Sequence, residues 1–263
     1  MNTVVTVNTE GVYRINMNRP KQFNALNRDM LEGLTEAFDE VRHDSSVRCV
    51  VLCGEGANFM AGGDIQYFYE LRDLDQESKI DAFNSLISDV HDLVENMASL
   101  PVPVIASIRG AAAGFGISLV AGSDLAIASR DSFYTSAYNL LGTSPDGGST
   151  YYLPRSVGMK KSMEITLLTK RYSAQEALEM GLINMVVEDD ELENTTANTA
   201  ATIVSSARSA VANAKHLIRQ SFNNDMNSQL KSELDSFLEC VAKDDFFEGV
   251  AAFVEKRRPR FAR

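Results

Sequence analysis

Two segments, Val104-Ile105-Ala106-Ser107-Ile108 and Leu125-Ala126-Ile127-Ala128, read as strands, and each leads into a glycine-rich loop that opens a helical pattern. Strand, glycine-rich loop and helix in that order place backbone amides at the carboxyl end of a sheet. That ordering commits the chain to an α/β fold. The loops are Met60-Ala61-Gly62-Gly63-Asp64, Arg109-Gly110-Ala111-Ala112-Ala113-Gly114-Phe115-Gly116 and Gly142-Thr143-Ser144-Pro145-Asp146-Gly147-Gly148-Ser149-Thr150. Small residues in the first two let a ligand approach the backbone closely, and the third carries one carboxylate, Asp146. The combination suggests an anion-stabilising site beside a base.

The remaining pattern is consistent with that class. Val4-Val5-Thr6-Val7 and Val12-Tyr13-Arg14-Ile15-Asn16-Met17 form a hairpin or adjacent strands across Glu10-Gly11. Asn27 caps a helix whose apolar stripe is Met30, Leu31, Leu34, Phe38 and Val41. Arg48-Cys49-Val50-Val51-Leu52-Cys53 is a buried strand, and Lys79 to Met97 a long helix stopped by Pro101 and Pro103. Beyond Gly158 the reading is helical: Lys160 to Thr169, Ser173 to Met180, and three helices between Glu191 and Glu255, with Ile183 to Val187 as the one strand signal. We divide the chain into a catalytic core, residues 1–200, and a C-terminal helical region, 201–263, that packs on the core or on a neighbouring subunit.

The chain of 263 residues, 44% hydrophobic and 23% charged, suits one large core with an appendage. A formal charge of −11 argues against nucleic acid as the main partner. No apolar run approaches the roughly 18 residues of a membrane span, and the N-terminus has no signal-peptide pattern, so a cytoplasmic location is expected. Cys49 and Cys53 share one strand face and read as small buried hydrophobes, and Cys240 stands alone. His43, His91 and His216 are scattered, so no metal site is expected. The densest positive cluster is Lys256-Arg257-Arg258-Pro259-Arg260, either a solvated tail or a partner for an anionic ligand.

The loops and their order resemble the crotonase, or enoyl-CoA hydratase/isomerase, superfamily. The resemblance rests on Asn18-Arg19-Pro20 with Asn24-Ala25-Leu26-Asn27, Ala61-Gly62-Gly63-Asp64-Ile65, Gly110 to Gly114, Ser123-Asp124-Leu125-Ala126-Ile127-Ala128, Pro145-Asp146-Gly147-Gly148, and Phe253-Val254-Glu255-Lys256-Arg257. It implies a crotonase-like ββα-repeat core with a helical C-terminal region, an acyl-CoA thioester substrate, and a homotrimer or dimer of trimers. It implies no separate cofactor, because coenzyme A enters as part of the substrate. The oxyanion amides fall on Gly63 and Phe115, the latter in place of a glycine found in many relatives. Ala25, Ala61, Asp64, Ile65, Gln66, Gly114, Ser118, Tyr138, Phe253 and Lys256 fall on substrate-binding positions.

The departures point to the reaction. Ser118 and Tyr138 occupy the positions where hydratases of the family carry two glutamates that hold water. Asp146 is then the sole acid, as in the acyl-CoA isomerases that include the ring-epoxide isomerase of phenylacetate degradation. A double-bond shift needs one base, so isomerase is the expectation, with hydratase as the alternative. An aryl-CoA dehalogenase uses an aspartate here as nucleophile, but with a tryptophan that this chain lacks; a non-catalytic acyl-CoA-binding module is the remaining reading. Gln66 stands where hydratases often have lysine, which places phosphate neutralisation on Arg19, Lys21 and the basic tail. Tyr67, Phe68 and Tyr69 line the acyl pocket or face the core.

Overall fold

The computed structural model describes residues 2–262. Strands β1 (Val4–Thr9) and β2 (Val12–Met17) form the antiparallel hairpin, and helix α1 (Arg28–His43) returns to parallel strand β3 (Cys49–Gly54). Asn27 starts α1 as expected: its Oδ1 accepts the Met30 amide at 3.0 Å. Then follow α2 (Ile65–Glu70), α3 (Gln76–Ala98), β4 (Val104–Ile108), β5 (Ala111–Ala113), α4 (Phe115–Gly122), β6 (Leu125–Ser129) and β7 (Phe133–Thr135). The remainder is α5 (Ser149–Leu168), β8 (Tyr172–Ser173), α6 (Ala174–Glu179), β9 (Met185–Val187), α7 (Leu192–Val204), α8 (Arg208–Gln220), α9 (Met226–Val241) and α10 (Asp244–Val254).

The main sheet has six strands in the order β1-β2-β3-β4-β6-β9, parallel except at the hairpin, and a three-stranded sheet β5-β7-β8 lies apart from it. Both faces of the main sheet are covered, so β3 and β4 read as continuous apolar runs. One face, with Val50, Leu52, Val104 and Ala106, packs under α1 and α3; the other, with Cys49, Val51, Ile105 and Ile127, packs on Leu192 and Ala200 of α7. Burial pushes the thiols of Cys49 and Cys53 up to about 12, so both behave as the small hydrophobes expected of them.

Some elements differ from expectation. Among the described residues the C-terminal part holds four helices, α7 to α10, where the periodicity suggested three; the breaks are short, mostly polar, and barely interrupt the apolar pattern. Helix α7 straddles residue 200 and packs on the main sheet. Helix α5 starts at Ser149 rather than Lys160 and is broken at Gly158, which is non-helical. Strands β5, β7 and β8 carried no readable signal, being two or three residues long and, in β5, all alanine.

Helix α8 is pinned to the core by a buried ion cluster. The Asp124 carboxylate receives Lys215 Nζ at 2.8 Å, Arg219 Nη2 at 2.7 Å and the Val104 amide at 2.8 Å. Lys215 also donates to the Val102 carbonyl at 2.8 Å, and burial pulls its pKa below the usual lysine value against the opposing pull of Asp124. Among the described residues no helix is long and apolar enough to cross a membrane, and no group of three or more His, Cys, Asp or Glu side chains is placed to hold a metal.

Candidate active site

The first two glycine-rich loops are joined by backbone hydrogen bonds. Met60 donates to Ala111 O at 3.0 Å and accepts from the Ala113 amide at 2.8 Å, while Phe59 donates to Arg109 O at 2.7 Å. Gly62 and Gly114 face one another so closely that a Cβ on Gly114 would stand 3.4 Å from Gly62 Cα. Asn24, fully buried, ties the assembly down: Nδ2 donates to Glu55 O and Asn58 O, and Oδ1 accepts from the Arg19 amide. The resemblance implies that the Asn24-Ala25-Leu26 turn contributes to the coenzyme A pocket, and the side chain of Asn24 is instead engaged by these backbone groups.

Two amides on these facing loops are left free. Leu26 donates to Gly62 O at 2.7 Å and accepts from the Asp64 amide at 2.9 Å, so in this parallel bridge the N–H of Gly63 points away from Leu26. Phe115 is the first residue of α4, where a helix has no internal acceptor for its amide. Neither N–H donates to any acceptor among the described residues. Facing loops with two unpaired donors, one at a helix N-terminus, can stabilise an oxygen that gains negative charge.

Asp64 has a different position from the one expected of a substrate contact. Its Oδ1 caps α2 through the Gln66 and Tyr67 amides, and its Oδ2 accepts Arg19 at 2.7 Å. Both oxygens are engaged, and the pair is mostly buried. The positive charge of Arg19 is therefore held by Asp64, and its other nitrogen donates to Ala25 O, so it does not serve as the free phosphate partner suggested by the sequence. In the basic tail one cation of the cluster is likewise engaged, while Lys256, Arg258 and Arg260 have no ion pair among the described residues. Arg257 is paired with Glu248 at 2.6 Å and with Glu255 at 2.6 Å, which helps hold the Glu248 carboxyl down at about 2. Lys21 is exposed and has no ion pair among the described residues.

The third loop closes on α4. Gly147 takes φ +57°, a left-handed conformation that lets the chain turn over the Phe115 ring, where a Cβ would meet Phe115 Cδ2 at 2.5 Å. The ring is thus buried beneath the loop, at 4% exposure. The carbonyl of Asp146 accepts from Ser118 Oγ at 3.3 Å, Ser149 Oγ at 3.2 Å and the Ser149 amide at 3.2 Å. Its side chain is half-buried, and Oδ1 accepts the Tyr138 hydroxyl at 2.5 Å. Oδ2 has no donor among the described residues. Burial, then the adjacent carboxylate, pushes the Tyr138 phenol well above its usual range, so it stays a protonated donor.

The fold therefore gathers Ala25, Ala61, Gly63, Asp64, Ile65 and Gln66 on one side and Gly114, Phe115, Ser118, Tyr138 and Asp146 on the other. Phe68 adds an aromatic wall, since a Cβ on Gly63 would lie 2.6 Å from its ring, while it also packs edge-on against Phe83 with centroids 5.1 Å apart. Tyr69 instead is exposed, under Arg72. Ile65 is exposed, and Gln66, also exposed, is bonded to Glu70 at 3.2 Å. Phe253 and Lys256 are placed elsewhere. Phe253, at the end of α10, lines a groove of about 430 Å³ with Cys240, Phe246 and Phe261. A wider cleft of about 980 Å³ between α3, α5, α8 and α9 also holds none of the loop residues expected at the site.

The contact between the first two loops is open to test. Gly116 packs against Met60 O, the atom through which the loops are joined, and a Cβ there would stand 2.5 Å from it. Gly116→Ala should separate the amides and lower kcat by about 10²-fold at a stability cost of about 1–3 kcal/mol, the overpacking range. Steady-state kinetics with a thermal melt checks this; unchanged kcat would show that loop spacing is immaterial.

Comparison with known proteins agrees with this architecture. Residues 8–263 match the enoyl-CoA hydratase/isomerase family model. The chain is 34% identical to the 1,2-epoxyphenylacetyl-CoA isomerase of Escherichia coli K12, covering 96% of this chain and 95% of that protein. It is also 34% identical to the short-chain-enoyl-CoA hydratase of Clostridium acetobutylicum, over 98% of this chain and 97% of that protein. Among solved structures, an enoyl-CoA hydratase from Bacillus anthracis superposes with a TM-score of 0.92 at 31% identity, covering 98% of each chain. This protein belongs to the enoyl-CoA hydratase/isomerase family: it has the crotonase fold, with two mixed sheets and a helical C-terminal region.

Proposed function

We propose that the protein is a cofactor-independent acyl-CoA isomerase in which Asp146 moves the proton and the Gly63 and Phe115 amides hold the thioester oxygen. The observation that carries this reading is the division of labour around Asp146. Ser118, which is buried, donates to the Asp146 carbonyl, and Tyr138 donates to its Oδ1. The two positions at which a hydratase would hold water are both occupied in holding the aspartate. One carboxylate oxygen is left to act.

On a 3-enoyl thioester, Asp146 Oδ2 takes a proton from C2. The C–H electron pair forms the C2–C1 double bond, and the carbonyl π electrons move onto oxygen, giving a dienolate beside the two amides. The dienolate then collapses: the carbonyl re-forms, the C2–C3 double bond forms, and C4 takes the proton back from Asp146. Nothing is oxidised or reduced, and the base ends as it began. Each oxyanion donor contributes about 2.7–4 kcal/mol to such a step. Ring rearrangement of an activated acyl-CoA would use the same enolate and the same base.

Incubation with 3-enoyl-CoA should give the conjugated 2-enoyl thioester, read by its ultraviolet absorbance. Conversion of crotonyl-CoA to the 3-hydroxy product at a comparable rate would support the hydratase reading instead. Coenzyme A enters with the substrate. Ala25, Ala61, Ile65 and Gln66 line its approach, and Phe253 and Lys256 are proposed to reach the site of a neighbouring subunit.

The C-terminal helices support assembly as a homotrimer or a dimer of trimers. They expose Leu230, Leu234, Phe237, Phe247, Val250 and Phe253, a large apolar surface for one chain. Light scattering should return three or six times the chain mass. A monomer at micromolar concentration would contradict this, and Phe237→Asp should shift the mass towards the monomer.

A further inference from the structure

We infer that Tyr138 is a positioning residue: its hydroxyl holds Asp146 Oδ1, so that the proton is taken, carried and returned on Oδ2 alone. The inference rests on Asp146 being the base proposed above. Tyr138 has the features of a fixed donor. It is 9% exposed, and its hydroxyl lies 2.5 Å from Oδ1, within the short range of hydrogen bonds to ionised oxygens.

Its mounting is fixed as well. The turn of Tyr138–Leu141 lies between Ala137 at φ +60° and Gly142 at φ +71°, and the Thr143 amide donates to Tyr138 O at 3.3 Å. Asn139 Nδ2 bonds Thr166 O at 3.0 Å and Leu167 O at 3.3 Å, tying the turn to the far end of α5. Alanine at positive φ is a strained arrangement, retained only where the surroundings impose it. What that backbone secures is the place of the phenol. Asp146 is itself held by its carbonyl, so side-chain rotation is the freedom that remains, and the phenol removes it.

The consequence concerns the fate of the proton. A carboxylate held at one oxygen keeps the abstracted proton on the other, facing the dienolate, and returns it to C4. A carboxylate free to rotate brings the proton to water, where it exchanges. Tyr138 therefore determines how much of the substrate's hydrogen survives in the product. A side chain needed only for packing would have no such effect.

The test compares wild type, Tyr138→Phe and Asp146→Asn with 3-enoyl-CoA carrying deuterium at C2, in ordinary water. Wild type should transfer part of the label to C4. Tyr138→Phe should lose about 10- to 100-fold in kcat with KM within about twofold, the scale set by misplacing a reacting group, and should transfer at most half as much label. Equal kcat and equal transfer in Tyr138→Phe, with Asp146→Asn inactive, would overturn the inference and leave the base in place. Full activity of Asp146→Asn would instead remove the base reading. Proton NMR of the free protein reads the contact without turnover: a far-downfield hydroxyl resonance should be present in wild type, absent in Tyr138→Phe and displaced in Asp146→Asn. Its absence from folded wild-type protein would also overturn the inference.

Discussion

Asp146→Asn should abolish double-bond migration, lowering kcat by about 10³-fold or more, within the range lost with a general base. The substitution is chosen because it preserves the surroundings. An asparagine oxygen still accepts from Tyr138, and the carbonyl that Ser118 and Ser149 hold is unaffected. An amide does not take up a proton at neutral pH, so only the chemistry is removed. Acyl-CoA affinity should stay within a few-fold of wild type, and the thermal midpoint within a degree or two. A mutant as active as wild type would end the assignment of Asp146 as base. A mutant that no longer binds acyl-CoA would place Asp146 in recognition instead.

The largest stability effect is expected away from the site, at Asp124. Removing this carboxylate by Asp124→Ala leaves Lys215 and Arg219 mostly buried and without their counter-ion. Breaking a buried pair in this way costs about 3–5 kcal/mol, because the remaining charge has lost both water and partner. In a chain of this size that lowers the melting temperature by about 10 °C. The helices docked through α8 should loosen first, so proteolysis should begin in the short connection between α7 and α8. Asp124→Asn keeps one acceptor oxygen, for Val104 and Lys215 or for Arg219, and should lose less. A stability change below about 1 kcal/mol in Asp124→Ala would show that the cluster is solvated in solution.

The connection between this cluster and the glycine-rich loops is a short one. Asp124 follows α4, whose first residue carries the Phe115 amide, and it also accepts the first amide of β4. The same segment thus anchors the C-terminal helices at one end and presents the proposed oxyanion donor, the Phe115 amide, at the other. Asp124→Ala is accordingly expected to lower kcat as well as stability.

Much of the architecture was legible because the physics that forms it is local. Asn27 capping, the stripe from Met30 to Val41 and the apolar runs of β3 and β4 each announce an element without reference to the rest of the chain. β5, β7 and β8 did not, because a strand of three alanines exists only where Met60 and Phe133 pair with it. The helices after Glu191 were miscounted for a related reason: helical periodicity continues across gaps of a few polar residues, and only the packing shows where the axis turns.

The site divides along the same line. Gly63, Phe115 and Asp146 sit in loops whose composition and order mark them out. Their partners depend on distant residues that the fold brings together. Nothing in the sequence places the Tyr138 hydroxyl on Asp146, or the Arg19 guanidinium on Asp64. Reading Arg19 as a phosphate partner followed from its charge and from Gln66 standing where hydratases often have lysine, and the fold overrides it because a carboxylate from another loop arrives within 2.7 Å.

Enolate formation with Asp146 as the base is the step on which the proposed function depends. Solvent deuterium incorporation into a panel of acyl-CoA thioesters, followed by mass spectrometry, tests it without knowledge of the physiological substrate. Wild-type protein should exchange hydrogen at the carbon next to the carbonyl in at least one thioester that it binds, and Asp146→Asn should not. Binding without exchange by wild type, or equal exchange by the two proteins, would remove Asp146 as the enolising base.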